Sequence, residues 1–216
     1  MRNGYYSRYY GEFSQLPDGA AADEEPGLVV LVIGESSRAA SYSYYGYERP
    51  INQATQKVGY IALPKSQSCW TTTMITTGCI LSAKGRDDWK EEATEPLPSY
   101  LHRLGIKTFV KTNNTEMPRV NVGDYKTTTQ LASSCETEFC LAYNVLKCEK
   151  SLCVERYFDN MLLANMEPIL ESTKSEKVFL LLHFHSSHSP NYSDRSPKDF
   201  ASFTPSCNVH VTHMRL

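Results

Sequence analysis

Three short apolar, β-branched runs, each leading directly into a cluster of residues able to do chemistry, confine this chain to few folds. Residues 28–34, 106–111 and 178–183 have the composition of strands covered on both faces and are predicted as buried parallel strands. Between them, residues 71–81, 98–104 and 153–170 are predicted as helices; in the last, Phe158, Met161, Leu162, Asn165, Met166 and Ile169 fall close to one helical stripe. Strands alternating with helices imply an α/β sheet with right-handed crossovers. In such open sheets ligands bind beyond the carboxyl ends of the strands. Here the first run continues into Gly34-Glu35-Ser36-Ser37-Arg38, the second into Thr112-Asn113-Asn114-Thr115, and the third into His183-Phe184-His185-Ser186-Ser187-His188. The three ends are expected to converge on one site.

The rest of the composition narrows the class. At 216 residues and 41% hydrophobic, the chain suffices for one domain with a substantial core. A formal charge of -2 with scattered basic residues gives no reason to expect a nucleic-acid partner. The longest apolar runs are far shorter than the roughly 20 residues that span a bilayer. Residues 1–25 are polar and Tyr-rich without the apolar centre of a signal peptide, so the chain as written is expected to lack an export signal or anchor. Seven cysteines pull the other way. Cys69/Cys79, Cys135/Cys140 and Cys148/Cys153 form three close pairs, with Cys207 left over, a pattern that fits disulfides in an oxidising compartment. Structural zinc is the alternative, but its C-x2-C pairs are missing. Spacing alone leaves the pairing open. The aperiodic stretch 123–153, which holds two of these pairs, is expected as a stapled excursion at the sheet edge.

Each strand end has a functional and an ordinary reading. Glu35, following an apolar strand and a glycine, would be costly to bury unpaired, so a cation is its natural partner. A helix cap or an ion pair with Arg38 would also satisfy it. The hydroxyl run Ser68-Cys69-Trp70-Thr71-Thr72-Thr73 precedes a predicted helix, whose unsatisfied N–H groups favour an anion. A threonine hydroxyl becomes a nucleophile only when a base or a metal lowers its pKa; otherwise such clusters cap and pack. His183, His185 and His188 lie within six residues, and bind metal or phosphate, transfer protons, or simply pack.

Together these residues resemble a known family. Val32-Ile33-Gly34-Glu35-Ser36-Ser37-Arg38-Ala39, with Tyr45-Gly46-Tyr47-Glu48-Arg49 after it, is similar to the opening signature of the lipid A phosphoethanolamine transferases. That group includes the mobile colistin-resistance enzymes and belongs to the alkaline phosphatase/sulfatase superfamily. Cys69-x-Thr71-Thr72-Thr73 with Cys79 resembles the family's nucleophile loop, Lys111-Thr112-Asn113-Asn114 its "DNN" strand end, Leu182-His183 through His188-Ser189-Pro190-x-Tyr192 its "LHxxGxHGPxY" segment, and Phe203-Thr204-Pro205-x-Cys207 its "FTPxC". The resemblance implies a three-layer alkaline-phosphatase-like α/β fold with a mostly parallel sheet, incomplete at the C-terminus. It divides the chain into a linker over 1–26, a partial sulfatase-like catalytic domain over 27–207 and a divergent tail over 208–216. It assigns Glu35 and Thr73 to Zn2+, Thr73 to nucleophilic attack through a phosphothreonine-type intermediate, and Asn114, Thr115, His183 and His188 to the substrate. The implied donor is phosphatidylethanolamine and the implied acceptor lipid A or another envelope glycan. The implied location is the periplasmic face of the Gram-negative inner membrane, reached through a membrane domain not present in this sequence.

The departures shape the expectation further. Pro118, with Arg119 beside it, stands where the family has a substrate lysine, and Ser186 and Ser189 replace its glycines. The family's Asp-His zinc ligands lie beyond "FTPxC", and Arg215 fills the place expected for the partner of Cys207. A truncated domain with weak zinc binding is therefore expected. A hydrolase of the same superfamily is the second reading, although neither Cys69 nor Cys79 has the C/S-x-P-x-R setting of a sulfatase nucleophile. A non-catalytic gene remnant is the third.

Overall fold

The computed structural model describes residues 13–19, 25–86, 94–114, 117–134, 144–149, 152–186 and 188. Four parallel strands form the main sheet in the order β1–β6–β2–β3: β1 is Gly27–Ile33, β2 Lys107–Thr112, β3 Asp124–Thr127 and β6 Lys177–His183. The predicted strands are present within a residue at each end. A separate antiparallel hairpin pairs β4 (Asn144–Glu149) with β5 (Leu152–Tyr157). The helices are α1 (Gln53–Gln56), α2 (Thr73–Leu81), α3 (Leu97–Arg103), α4 (Thr128–Ser134) and α5 (Glu167–Ser172).

Register explains the layering. Val178, Leu180 and Leu182 of β6 share a face with Phe109 of β2, and α4, the 3-10 turn Asp159–Leu163 and α5 cover it with Leu131, Met161, Leu162, Ala164 and Ile169. Phe179 and Leu181 face the other way with Val110 and Ile33, beneath Leu81 of α2 and the α3 side chains Leu97 and Leu101. Helices therefore lie on both faces of a parallel sheet, the three-layer α/β arrangement expected. Lys111, on the first face, is 3% exposed and donates from Nζ to the Ala164 carbonyl at 2.6 Å. Burial pushes its pKa down to about 8, against the opposing charges of Asp124 and Glu167.

Two predicted segments differ. The single helix expected over 153–170 is instead the end of β5, the 3-10 turn and the short α5. Pro168 can sit only in the first turn of a helix, and Asn165 takes a left-handed φ of 52°, so the apolar stripe is delivered by two short turns rather than one long one. Within the excursion expected over 123–153, β3 extends the sheet as a fourth parallel strand. Its tetrapeptide Asp-Tyr-Lys-Thr carries no apolar run that would announce it.

Two further local devices fix the frame. Gly105, at φ 83°, ends α3: its N–H bonds the His102 carbonyl at 3.0 Å and the Ile106 N–H the Leu101 carbonyl at 3.0 Å, aiming the chain into β2. Residues 13–19, within the stretch expected as a linker, are fastened to α3. There Arg103 clasps the buried Glu95 through Nε and Nη2, donates to the Leu16 carbonyl at 2.8 Å and pairs with Asp18.

Candidate active site

Glu35 leaves the end of β1 through Gly34, and Ser36 at φ 53° turns the chain sharply away, so the carboxylate stands over the strand ends. Its Oε2 accepts a hydrogen bond from Thr73 Oγ1 at 2.7 Å and a longer one from Asn114 Nδ2 at 3.4 Å; its Oε1 accepts from Ser36 Oγ at 2.9 Å. Burial pushes the Glu35 carboxyl up, but the bonds from Thr73 and Ser36 and the coulombic influence of His188 outweigh it and leave its pKa below the ordinary value. Glu35 is thus a carboxylate at neutral pH. Its partners are hydroxyls and an amide, not Arg38.

Thr73 is the first residue of α2, and Thr72 precedes it in extended conformation. A disulfide joins Cys69, in the loop, to Cys79, in the second turn of the helix, with Cα atoms 6.5 Å apart. Ser68 Oγ also donates to the Trp70 carbonyl at 2.6 Å, and Thr76 Oγ1 to the same carbonyl at 3.1 Å. The loop and the helix are thereby one unit, which holds the Thr73 hydroxyl toward Glu35. Around them lies a pocket of ≈ 460 Å³, lined among others by Gly34, Ser37, Tyr42, Trp70 and Thr72.

The second and third strand ends close on the same place. Asn114 is buried and reaches Glu35 as described. Thr112 Oγ1 donates to the Asn114 carbonyl and accepts from its N–H at 3.0 Å. His183 is fully buried, its Nδ1 3.3 Å from Thr112 Oγ1. Because the Thr112 proton goes to Asn114, His183 Nδ1 carries the hydrogen of that contact. Its Nε2, which has no hydrogen-bond partner among the described residues, keeps a bare lone pair. Burial pushes the His183 pKa down to about 4 despite the nearby charges of Glu35 and Asp159. His188 ends a turn closed by its N–H on the His185 carbonyl at 3.1 Å, and its ring stacks on His185 with centroids 5.1 Å apart. Thr115, Cys135, Cys140 and Cys207 lie outside the described residues. For Cys148 and Cys153 only the backbone is described, and the hairpin register sets them opposite each other.

One organiser escaped the sequence reading. Asp159 Oδ1 accepts from Asn113 Nδ2 at 2.9 Å and from the His185 N–H at 2.8 Å, while Oδ2 accepts from the Ser186 N–H at 2.8 Å. Asn113 Oδ1 in turn accepts from Thr128 Oγ1 at 2.9 Å. Asp159 therefore ties the loop after β6 to the loop after β2. No spacing pattern marks an aspartate in a 3-10 turn far along the chain from both.

The donor set suits a divalent cation in part. Glu35 and Thr73 offer adjacent oxygens, and His183 a buried nitrogen lone pair near that carboxylate. A tetrahedral zinc takes four ligands, and among the described residues no three His, Cys, Asp or Glu side chains gather closely enough to hold a metal.

The stretch of chain that builds this site matches a known family. The family described as Sulfatase matches residues 28–215, most of the chain. The chain belongs to the sulfatase family. This family member is 34% identical over 184 residues to the phosphoethanolamine transferase EptA of Helicobacter pylori, a match covering 84% of the chain and 32% of that protein. It therefore spans about a third of the length of the curated relatives it matches. Among solved structures, it resembles the integral membrane lipooligosaccharide phosphoethanolamine transferase A of Neisseria meningitidis, with a TM-score of 0.71 at 24% identity over 96% of this chain and 38% of that one. It also resembles the periplasmic domain of EptC from Escherichia coli in complex with Zn, with a TM-score of 0.52 at 19% identity over 91% of this chain and 53% of that one. At these identities the structures speak for the fold, an alkaline-phosphatase-like α/β domain. Among the described residues no helix is long and apolar enough to cross a membrane.

Proposed function

We propose that this chain carries the nucleophile centre of a phosphoethanolamine transferase, which moves phosphoethanolamine from phosphatidylethanolamine to lipid A or a related envelope glycan. The observation that carries the reading is the 2.7 Å hydrogen bond from Thr73 Oγ1 to Glu35 Oε2 at the mouth of the sheet. In the first step Thr73 Oγ bonds to the phosphorus of the donor, and the bond from phosphorus to the diacylglycerol oxygen breaks. The Thr73 proton leaves toward Glu35 Oε2, and the departing oxygen takes up a proton. In the second step a phosphate oxygen of the acceptor attacks the same phosphorus and the threonine hydroxyl is released. The Asn114 amide sits beside Glu35, where it can orient a phosphoryl oxygen. His183 and His188 flank the site and are assigned to the substrate.

Glu35 and Thr73 would hold a zinc ion, which when bound lowers the pKa of the hydroxyl and offsets phosphoryl charge. With fewer than four ligands from the described residues, weak affinity is expected of this chain. Thr115 is assigned to the substrate, and Cys135/Cys140 and Cys148/Cys153 to disulfides. The corresponding location is the periplasmic face of the inner membrane, in keeping with the one disulfide described and with the periplasmic and membrane relatives.

Mass spectrometry after incubation with phosphatidylethanolamine and zinc tests the reading. A peptide containing Thr73, heavier by one phosphoethanolamine group, is expected, with no such peptide from Thr73→Val. Release of diacylglycerol without modification of Thr73 would instead point to hydrolysis by another route.

A further inference from the structure

Residues 13–19 do more than lie against α3. Ser14 pairs with Thr94 in a parallel bridge, and its carbonyl accepts the Glu95 N–H at 2.9 Å. The Leu16 N–H returns a longer bond, of 3.4 Å, to Glu95 Oε2. Arg103 closes the clasp with all three guanidinium nitrogens: Nε and Nη2 on Glu95, Nη2 also on the Leu16 carbonyl, and Nη1 on Asp18. Glu95 is 2% exposed, so these charge-assisted bonds are little screened by water. At the far end of the stretch, a Cβ on Gly19 would stand 2.5 Å from Tyr100 Oη, so the chain passes directly over α3.

The same stretch reaches the nucleophile helix. Leu16 and Pro17 line a cavity of ≈ 370 Å³ together with Ile80 and Leu81 of α2 and with Ser82, which caps that helix. Thr94, the bridge partner of Ser14, has its Oγ1 3.3 Å from Ser82 Oγ. Residues 13–19 therefore border the C-terminal end of the helix whose first residue is Thr73. The Cys69–Cys79 disulfide and the bonds to the Trp70 carbonyl make α2 and its loop one body, which transmits a tilt from end to end. For the nine residues of α2, about 13 Å long, a tilt of about 5° at the far end carries Thr73 by about 1 Å. A misplacement of about 1 Å can cost on the order of 10²-fold in rate.

We propose that residues 13–19, clasped by Arg103, form a strap that sets the tilt of α2 and so places the Thr73 hydroxyl on Glu35. Arg103 is a positioning residue: it acts on Thr73 through Glu95, Leu16 and the end of α2. Lysine cannot substitute for it, having one nitrogen where the clasp uses three. The consequence for rate rests on the transferase reading, whereas the placement of Thr73 does not.

Two variants of the full chain test it: Arg103→Lys, which keeps a cation beside Glu95, and Leu16→Ala, which removes the strap's apolar side chain from the cavity. Faster hydrogen exchange of the Glu95 amide, whose bond goes to Ser14, reports that the strap has lifted. In both variants the Thr73 methyl resonance is expected to move by more than its linewidth, while the buried Leu180 and Leu182 methyls stay in place. With dihexanoyl phosphatidylethanolamine and zinc, modification of Thr73 at saturating donor should slow about tenfold. The half-saturating donor concentration should not change, because the pocket around Glu35 is untouched. A faster Glu95 amide with an unmoved Thr73 methyl would overturn the proposal. So would Leu180 and Leu182 methyls that move as far as Thr73, or a loss of donor affinity at an unchanged maximal rate. Should Arg103→Lys fail to fold, Leu16→Ala decides alone. A displaced Thr73 methyl in the variants of a chain that is never modified at Thr73 would sink the transferase reading while leaving the strap.

Discussion

Neutral histidine beside an ionised carboxylate is the unusual residue-level condition of this site. Charge–charge attraction alone would protonate His183, since Glu35 and Asp159 both favour its cation. Burial wins because the ring is sealed and, among the described residues, no acceptor reaches Nε2. The consequence for stability has a definite sign. The folded pKa of about 4 lies below the ordinary 6.5, so on acidification the unfolded chain takes up the proton first. Stability is therefore undiminished above about pH 6.5 and falls as the pH drops from there towards 4, by an upper bound on the order of 3 kcal/mol. Urea unfolding at a series of pH values checks the slope, and His183→Asn should flatten it. In the folded protein, the His183 ring protons should show no titration above pH 5 by NMR. A titration near the ordinary value would mean that solvent or a partner reaches the ring.

At the scale of elements, the site is a meeting of loops, and Asp159 is the group that makes two of them move as one. An isosteric Asp159→Asn change keeps the acceptor for Asn113 and His185 but turns an N–H donor toward the Ser186 N–H. Leaving that amide unsatisfied should cost about 1–3 kcal/mol. Hydrogen exchange should locate the loss: the Ser186 amide exchanges about tenfold faster or more while amides within β6 keep their protection. Equal acceleration throughout β6 would show a global effect rather than a loosened loop. This junction also marks where the sequence stopped being legible. Glu35, Thr73, Asn114 and His183 could be found because each follows an apolar strand or opens a helix, so local pattern places it at the sheet mouth. Asp159 acts through partners dozens of residues away, and no local period records that. The same limit explains β3 and the 3-10 turn: β3 is polar, and the apolar stripe near 161–169 fits a helix until Pro168 and the left-handed Asn165 are weighed.

At the scale of the whole molecule, β1 is the least covered strand of the sheet among the described residues, with Val29 on one face 63% exposed and the other face open as well. Leu28, Val30 and Val32 lie in register with Val178, Leu180 and Leu182, yet the β6 residues are sealed while the β1 residues are 38%, 44% and 50% exposed. The layer of α4, the 3-10 turn and α5 packs over β6 and β2 and stops short of β1. Among the described residues, nothing pairs with the outer edge of β1 either. Free backbone groups beside an apolar face form a template for association, which natural sheets usually blunt with charge. The chain is accordingly expected to self-associate at micromolar concentration in light scattering, and Val30→Lys to suppress this. The lysine would stand on the open face and leave the β1–β6 ladder intact, so the thermal midpoint should stay within a few degrees. A large fall in midpoint would show that a further segment covers this face.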